Sequence, residues 1–198
     1  SNYSPLSVYY ALAITASGAR GETADEMLSL LNMPDQAALS VQCGNLYRQL
    51  YTDNEIGKLK IANSVWMNQS VPWKQDFVKN AAENFYASSF SVDFSDPKTA
   101  QAMGKWVSEH TNGTLEPQFE ISKDKILSIL NTVYFYDEWT NKFDSAKTAA
   151  DTFHSADGTT INTDFMNGTN SSGSFYKGDG FIRSSLSLKN GGKMIFIL

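Results

Sequence analysis

A nearly unbroken apolar segment at residues 126–136 limits the folds open to this chain more than any other feature of its sequence. Only Ser128, Asn131 and Thr132 interrupt the run. Strands with both faces buried show such continuous apolar runs, because neither face meets water. The segment therefore predicts a central strand that other layers of the protein cover on both sides.

Helical periodicity prevails before that strand. Apolar spacing of three and four residues, with capping residues and prolines at the starts, predicts helices at residues 4–17, 36–51, 72–86 and 96–113. A shorter helix ending near Pro34 is predicted from the capping-box spacing of Thr23 and Glu26. Cys43 lies on the apolar stripe of the helix at 36–51, which favours a core position over a nucleophilic role.

Strand periodicity appears at residues 59–67 and 90–94, where apolar and polar residues alternate. After Trp139 the Gly, Ser, Thr and Asn content rises, and turn sequences at 157–158 and 190–192 separate short candidate strands. The order predicts an α+β fold, with strands inserted among helices, rather than regular βαβ units.

Composition excludes several classes of function. The 198 residues carry 16 Lys and Arg against 21 Asp and Glu, a net charge of −5, so no electrostatic footprint for nucleic acid or anionic lipid is expected. No apolar run approaches the roughly 18 to 20 residues of a membrane span. Cys43 is the only cysteine, so neither an intrachain disulfide nor a cysteine-rich zinc site is possible.

Signatures of catalysis are missing as well. The sequence has no HExxH, GxSxG or P-loop pattern, and two histidines are too few for a three-histidine metal centre. His110, at a predicted helix end, and His154, in a predicted strand beside a turn, are interpreted as ordinary surface or helix-terminal residues. We therefore expect no catalytic residue, no metal and no cofactor, and hence a protein that is not an enzyme.

Six short motifs follow one another along almost the whole chain. In order they are Asn2-x-Ser4-Pro5-x-Ser7, the Gly18-Ala19-Arg20-Gly21-x-Thr23 turn, Ile61-Ala62-Asn63-Ser64-Val65-Trp66, Trp106-Val107 with Thr111-Asn112-Gly113, Leu130-Asn131-Thr132-Val133-Tyr134-Phe135, and then Trp139, Phe143, Thr148 and Phe153. Together they resemble the motifs of the serpins, inhibitors of serine and cysteine proteases. One departure is Tyr136-Asp137-Glu138, where serpins commonly have Lys-Gly. Each motif is weak alone, but six in the family's order are specific.

The resemblance implies that residues 1–198 form one partial serpin domain, with helices packed on large mixed β-sheets, called A, B and C in the family. Relative to the family, helix A would be missing before Ser1, and about the last third, with the reactive-centre loop, after Leu198. The apolar run Met194 to Leu198 reads as a core strand with no turn residue after it, which also indicates that the chain continues. The fold would then be incomplete without its C-terminal segment.

By the same resemblance the protein would be an irreversible suicide inhibitor. A protease cleaves the reactive-centre loop, which inserts into sheet A and carries the acylated protease with it. The alternative is a non-inhibitory serpin-fold protein, such as a carrier, chaperone or storage protein. An enzyme or carbohydrate-binding module with an accidental resemblance ranks third.

The resemblance also suggests roles for single residues. Ser4, Ser7 and Asn131 match the shutter, a polar cluster beneath the opening sheet, and Trp139 matches the breach, where insertion begins. Residues 97–111 would form the helix across sheet A. Because a buried amide without partners costs about 1–3 kcal/mol, Asn131 should have hydroxyl groups nearby. Without the resemblance, Asn131 would be read as an ordinary hydrogen-bonded residue and Trp139 as core.

The expected partners are a target protease and a second polypeptide that supplies the C-terminal strands and the loop. Heparin binding is not expected, because Arg48 is the only basic residue in 36–54. An extracellular location is expected on family grounds, with a cytoplasmic one as the alternative. Glycosylation sequons begin at Asn2, Asn68, Asn112, Asn167 and Asn170, although a chain rich in Asn and Ser produces them by chance.

Overall fold

The structure is a computed structural model that describes residues 3–169 and 174–198. Within them the chain forms five α-helices, which are α1 (Pro5–Gly18), α2 (Glu22–Leu30), α3 (Gln36–Leu50), α4 (Gln75–Phe85) and α5 (Pro97–His110). Its nine strands are β1 (Thr52–Asp53), β2 (Lys58–Asn68), β3 (Ala87–Val92), β4 (Leu127–Tyr136), β5 (Ala149–His154), β6 (Thr160–Phe165), β7 (Ser174–Lys177), β8 (Ile182–Ser187) and β9 (Lys193–Ile197). The predicted mixture of helices and sheets is confirmed.

Capping residues define the ends of most helices. The Ser4 hydroxyl oxygen accepts a hydrogen bond from the Ser7 backbone N–H at 3.2 Å, and Pro5 follows as the first helical residue of α1. At the end of α5 the chain turns through Asn112 at φ 54° and Gly113 at φ 73°. This is the left-handed cap that the sequence predicted.

The capping-box prediction for α2 is wrong. The helix begins at Glu22, so Thr23 already lies within it, and no side chain caps its amides. Gly21 is the N-cap residue at φ 59°, a conformation that suits a residue without a Cβ. The backbone turn at Gly21 therefore sets the start of α2.

The largest described sheet is built around β2. Strand β1 pairs with it antiparallel, and β3 pairs with it parallel from Asn63↔Ala87 to Asn68↔Val92. Strand β4 pairs with β2 as well, and with no other strand in the described chain. One edge of β4 is therefore unpaired within residues 3–169 and 174–198. The prediction of a central strand covered on both sides is wrong for this part of the chain, because most side chains of β4 are half-buried and Phe135 and Tyr136 are exposed.

Two apolar clusters pack on this sheet. The larger joins α1, α3 and α4 to β2 through fully buried side chains that include Tyr10, Ile14, Leu39, Cys43 and Phe85. In the smaller, Met103, Trp106 and Val107 of α5 pack against Trp66 of β2 and its stacked neighbour Phe90 of β3. Helix α5 thus covers one face of the sheet, as predicted.

The segment after β4 is all-β. Strands β5 and β6 form an antiparallel hairpin, and β7, β8 and β9 form an antiparallel three-stranded sheet. Gly158 at φ 84° and Gly191 at φ 85° lie in the two predicted turns. The predicted apolar strand at the end of the chain exists as β9, but its side chains are exposed, so its core placement is wrong for the described residues.

The chain divides into two compact units. The first contains the residues up to Asp53 and Lys58–Phe135, and the second contains Asn54–Gly57 and Tyr136–Leu198. The single-domain assignment of residues 1–198 stays a prediction. Among the residues described, no helix has the length and apolar character to cross a membrane.

Candidate functional site

The three residues predicted to form the shutter line one cavity of the first unit, with a volume of about 570 Å³. Ser4 and Ser7 lie at the start of α1, and Asn131 lies in β4. The remaining walls come from Tyr3, the end of α5, the segment after α5 and the neighbouring residues of β4. Residues more than 120 positions apart in the chain therefore meet at one site.

A direct hydrogen bond between two asparagines links β4 to β2 beside this cavity. The Asn131 Nδ2 donates to Asn63 Oδ1 at 2.7 Å, and Asn63 Nδ2 donates to the Phe85 carbonyl at 2.7 Å. Asn63 is 1% exposed. The sequence interpretation overlooked Asn63, although it stands between Ile61 and Val65 on the apolar face of the predicted strand, where a buried amide requires partners.

The expectation that hydroxyl groups satisfy Asn131 is wrong. The Ser4 hydroxyl oxygen accepts from the Ser7 backbone, because the first turn of α1 needs that acceptor, and the partner of Asn131 is another amide. Asn131 Oδ1 and Thr132 Oγ1 are buried without a hydrogen-bond partner among the described residues. Each such group costs about 1–3 kcal/mol until it finds a partner.

These features lie along a strand with an open edge. Strand β4 is ten residues long and pairs only with β2 in the described chain. An unpaired edge presents a row of backbone N–H and C=O groups that another strand can bind. The arrangement can therefore accept a further strand, together with donors for the two unsatisfied side-chain oxygens.

Trp139 lies in the second unit and does not line this cavity. It forms an antiparallel bridge with Leu188 and meets the Phe143 ring edge-on, with ring centroids 6.2 Å apart. Next to it, hydrogen bonds from the Lys189 and Lys142 ammonium groups hold the pKa of Glu138 below its ordinary value. The breach role of Trp139 stays a prediction.

The cysteine and the two histidines are not arranged as a catalytic group among the described residues. Cys43 is fully buried, and that burial raises the pKa of its thiol to about 12. The His110 ring stacks on Trp106 at 4.2 Å, and its Nδ1 lies 2.7 Å from the Trp106 carbonyl, whereas His154 is exposed in β5. No group of three His, Cys, Asp or Glu side chains positioned to hold a metal occurs in the part of the chain that the structure describes.

Comparison with known proteins places this geometry in a family. The family model described as Serpin (serine protease inhibitor) matches residues 1–198. The native stressed conformation of Arabidopsis AtSerpin1 is similar with a TM-score of 0.87 and 27% sequence identity, over 99% of this chain and 53% of that one.

Two relatives from distant organisms give the same result. Serpin-Z7 of Hordeum vulgare is 33% identical over 179 residues, covering 85% of this chain and 45% of its own length. Serine protease inhibitor 42Dd of Drosophila melanogaster is 31% identical over 156 residues, covering 76% of this chain and 42% of its own. The chain thus spans about half the length of the relatives that it matches.

Proposed function

This chain belongs to the serpin family, and from that premise we propose that the protein it represents is an irreversible suicide inhibitor of serine or cysteine proteases. Its target would cleave a reactive-centre loop supplied by the part of the protein outside residues 1–198. The cleaved loop would then add to the sheet as a strand and carry the acylated protease with it.

The unpaired edge of β4 supports this proposal most directly. An inserted strand would bond to the backbone groups along that edge and close the sheet over the cavity at Asn131. It could also bring donors to Asn131 Oδ1 and Thr132 Oγ1, which lack partners among the described residues. Strand addition would thus supply the hydrogen bonds that this part of the sheet lacks.

We assign the shutter role to Ser4, Ser7 and Asn131 within the same proposal, and add Asn63. The Asn63–Asn131 bond joins the strand at the edge to β2, so it would hold these two strands together while a further strand is added at the unpaired edge of β4. The Ser4 cap fixes the start of α1 beneath this point. Trp139 would mark where insertion begins, by resemblance alone.

Complex formation with proteases tests the function. The full-length protein should form a covalent complex with at least one protease of a panel covering trypsin-, chymotrypsin-, elastase- and papain-like specificities, seen as a band that resists denaturing electrophoresis. A protease whose nucleophile is replaced by Ala is the control and should give no such band. Loop cleavage should also raise the unfolding temperature, because the sheet gains a strand.

The non-inhibitory alternative gives the opposite result. If every protease cleaves the loop without a covalent complex and without a rise in unfolding temperature, the protein is a carrier, chaperone or storage protein with the serpin fold. The same reaction mixtures distinguish an inhibitor from a non-inhibitory protein, because the covalent complex and the unfolding temperature are both measured after loop cleavage.

An extracellular location belongs to this proposal too. Asn112 is exposed after α5, which suits glycan attachment, whereas the Asn68 side-chain amide donates to the Lys125 carbonyl at 3.0 Å. Asn2 and Asn170, which begin two other sequons, lie outside the described residues. A mass decrease after glycosidase treatment of protein from its native source would support secretion, and an unglycosylated mass together with cytosolic fractionation would contradict it.

A further inference from the structure

A second cavity of the first unit has a volume of about 410 Å³ and shares no lining residue with the cavity at Asn131. It lies where the end of α1, helix α2, the start of α4 and the first residue of β4 meet. Apolar side chains form most of its wall, namely Met27, Val71, Pro72, Trp73, Phe77 and Leu127. Its size and apolar lining are those of small-molecule sites in proteins.

Local contacts hold the aromatic part of this wall in place. The Trp73 indole N–H donates to the Asn68 carbonyl at 3.0 Å, which orients the ring. The Phe77 ring lies against Gly18 so closely that a Cβ at residue 18 would be 3.0 Å from it. The absence of a side chain at Gly18 therefore lets Phe77 occupy its position, and the cavity exists before any ligand binds.

The charged side chains that line this cavity are positive. In the part of the chain that the structure describes, Arg20 and Lys74 line it and no Asp or Glu does, although the sequence carries a net charge of −5. Among the described residues, the hydrogen bonds of Arg20 all come from Nη1, to Ala19 O at 2.6 Å, Gln36 Oε1 at 3.3 Å and Ser17 O at 3.4 Å. The N–H groups of Nε and Nη2 therefore remain available to donate hydrogen bonds to a ligand.

Lys74 is similarly available. Within residues 3–169 and 174–198 its ammonium group takes part in no ion pair and no hydrogen bond. An apolar pocket with two cations and no carboxylate is complementary to a molecule with an apolar body and a single negative charge.

We propose that this cavity binds an amphipathic anion, an alkyl or aryl carboxylate. Its apolar body lies between Met27, Trp73 and Phe77, and its carboxylate pairs with Arg20 and Lys74. The site is independent of protease inhibition, because none of its residues belongs to the cavity at Asn131. A ligand that binds only the folded protein also stabilises it, so occupancy should raise the unfolding temperature.

Calorimetric titration of the full-length protein with octanoate tests the charge requirement, with octan-1-ol as the neutral probe of equal chain length. Octanoate should bind more tightly than octan-1-ol. The double variant Arg20→Gln/Lys74→Gln should weaken octanoate binding about tenfold, by loss of two charged contacts, and leave octan-1-ol unchanged. Lys79→Gln is the matched control on the same helix, since Lys79 faces solvent and pairs with Glu83.

A blocking variant tests the location. Thr23 lines the cavity and is exposed, so Thr23→Trp should fill the opening and abolish binding of both probes without disturbing the core. The proposal is overturned if octanoate does not bind, if Thr23→Trp leaves its affinity intact, or if the double variant weakens both probes equally. An unchanged unfolding temperature of each variant without ligand shows that folding is not the cause.

Discussion

A buried asparagine and its half-buried partner show what single residues contribute to this sheet. Asn63 has both ends of its amide satisfied, by Asn131 and by the Phe85 carbonyl, whereas Asn131 has only its nitrogen satisfied in the described chain. The pair therefore holds β4 to β2 while leaving one oxygen at the cavity available. Replacing Asn63 removes two hydrogen bonds, to Asn131 and to the Phe85 carbonyl, whereas replacing Asn131 removes only one.

Asn63→Ala should lower the free energy of unfolding by about 3 kcal/mol, because the Asn131 amide and the Phe85 carbonyl both lose a buried partner. Asn131→Ala should cost less, and the double variant should cost less than the sum, since the two side chains interact directly. Denaturant unfolding of the full-length proteins measures this, with exposed Asn162→Ala as the control. Strictly additive effects would contradict the proposed coupling.

The thiol of Cys43 should make stability depend on pH at the alkaline end. Burial raises its pKa from an ordinary 9.0 to about 12, so the unfolded state ionises first. This contribution is complete below pH 9 and is lost as the pH rises toward 12, with a slope of about 1.4 kcal/mol per pH unit.

Cys43→Ala serves as the comparison for that prediction. Tyrosines such as Tyr10 also titrate in this range, because burial raises the pKa of Tyr10 as well. The difference between the two unfolding slopes above pH 9 therefore isolates the thiol. Equal slopes for the natural protein and the variant would show that Cys43 ionises as readily when folded as when unfolded.

Helix α5 packs closely against the segment that follows it at a glycine, Gly104. Gly104 is buried in the middle of the helix, and a Cβ there would lie 2.7 Å from the Pro117 carbonyl oxygen. The segment that connects α5 to β4 therefore crosses the helix at a distance that only glycine permits. In the proposed mechanism this helix lies across the sheet that must open.

Gly104→Ala should destabilise the protein by about 1–3 kcal/mol, because overpacking against a backbone atom outweighs the gain of about 1 kcal/mol in helix propensity. The control is Ala102→Gly, an exposed position of the same helix that should show the propensity effect alone. Thermal unfolding compares them. A more stable Gly104→Ala variant would mean that the connecting segment moves aside without cost.

At the scale of the whole molecule, the second unit exposes much apolar surface. Met194, Ile195, Phe196 and Ile197 are consecutive and all exposed, so both faces of β9 meet solvent. Phe175 in β7 is 71% exposed. Strands with exposed apolar faces and free edges associate with other chains unless something covers them.

The 198-residue chain expressed alone should therefore self-associate and bind anilinonaphthalene sulfonate, and the full-length protein should do neither. Size-exclusion chromatography and dye fluorescence measure the two properties. Replacing Phe175 and Ile197 by Ser should reduce both in the isolated chain. A monomeric isolated chain that does not bind the dye would contradict the expectation that a further polypeptide segment covers these strands.

Much of the local structure could be predicted from residue patterns. The helical stripes, the strand at 126–136 and the glycine turns follow from periodicity and backbone preference, which act within a few residues. The boundaries were less predictable. Helix α4 begins at Gln75 rather than at Pro72, because Lys74 is extended and the Trp73 indole N–H donates to the Asn68 carbonyl. Gly21, and not Thr23, begins α2.

The amino-acid sequence by itself determined the family, the α+β class and the position of the strand β4 along the chain, because motif order and apolar patterning are properties of the linear chain. Only the tertiary structure decided that Asn63 is the partner of Asn131, that Pro117 approaches Gly104, and that Arg20 and Lys74 share an apolar cavity. Those contacts join residues from 13 to 68 positions apart. No local pattern encodes which distant residue fills a given position, since packing of the whole unit selects it.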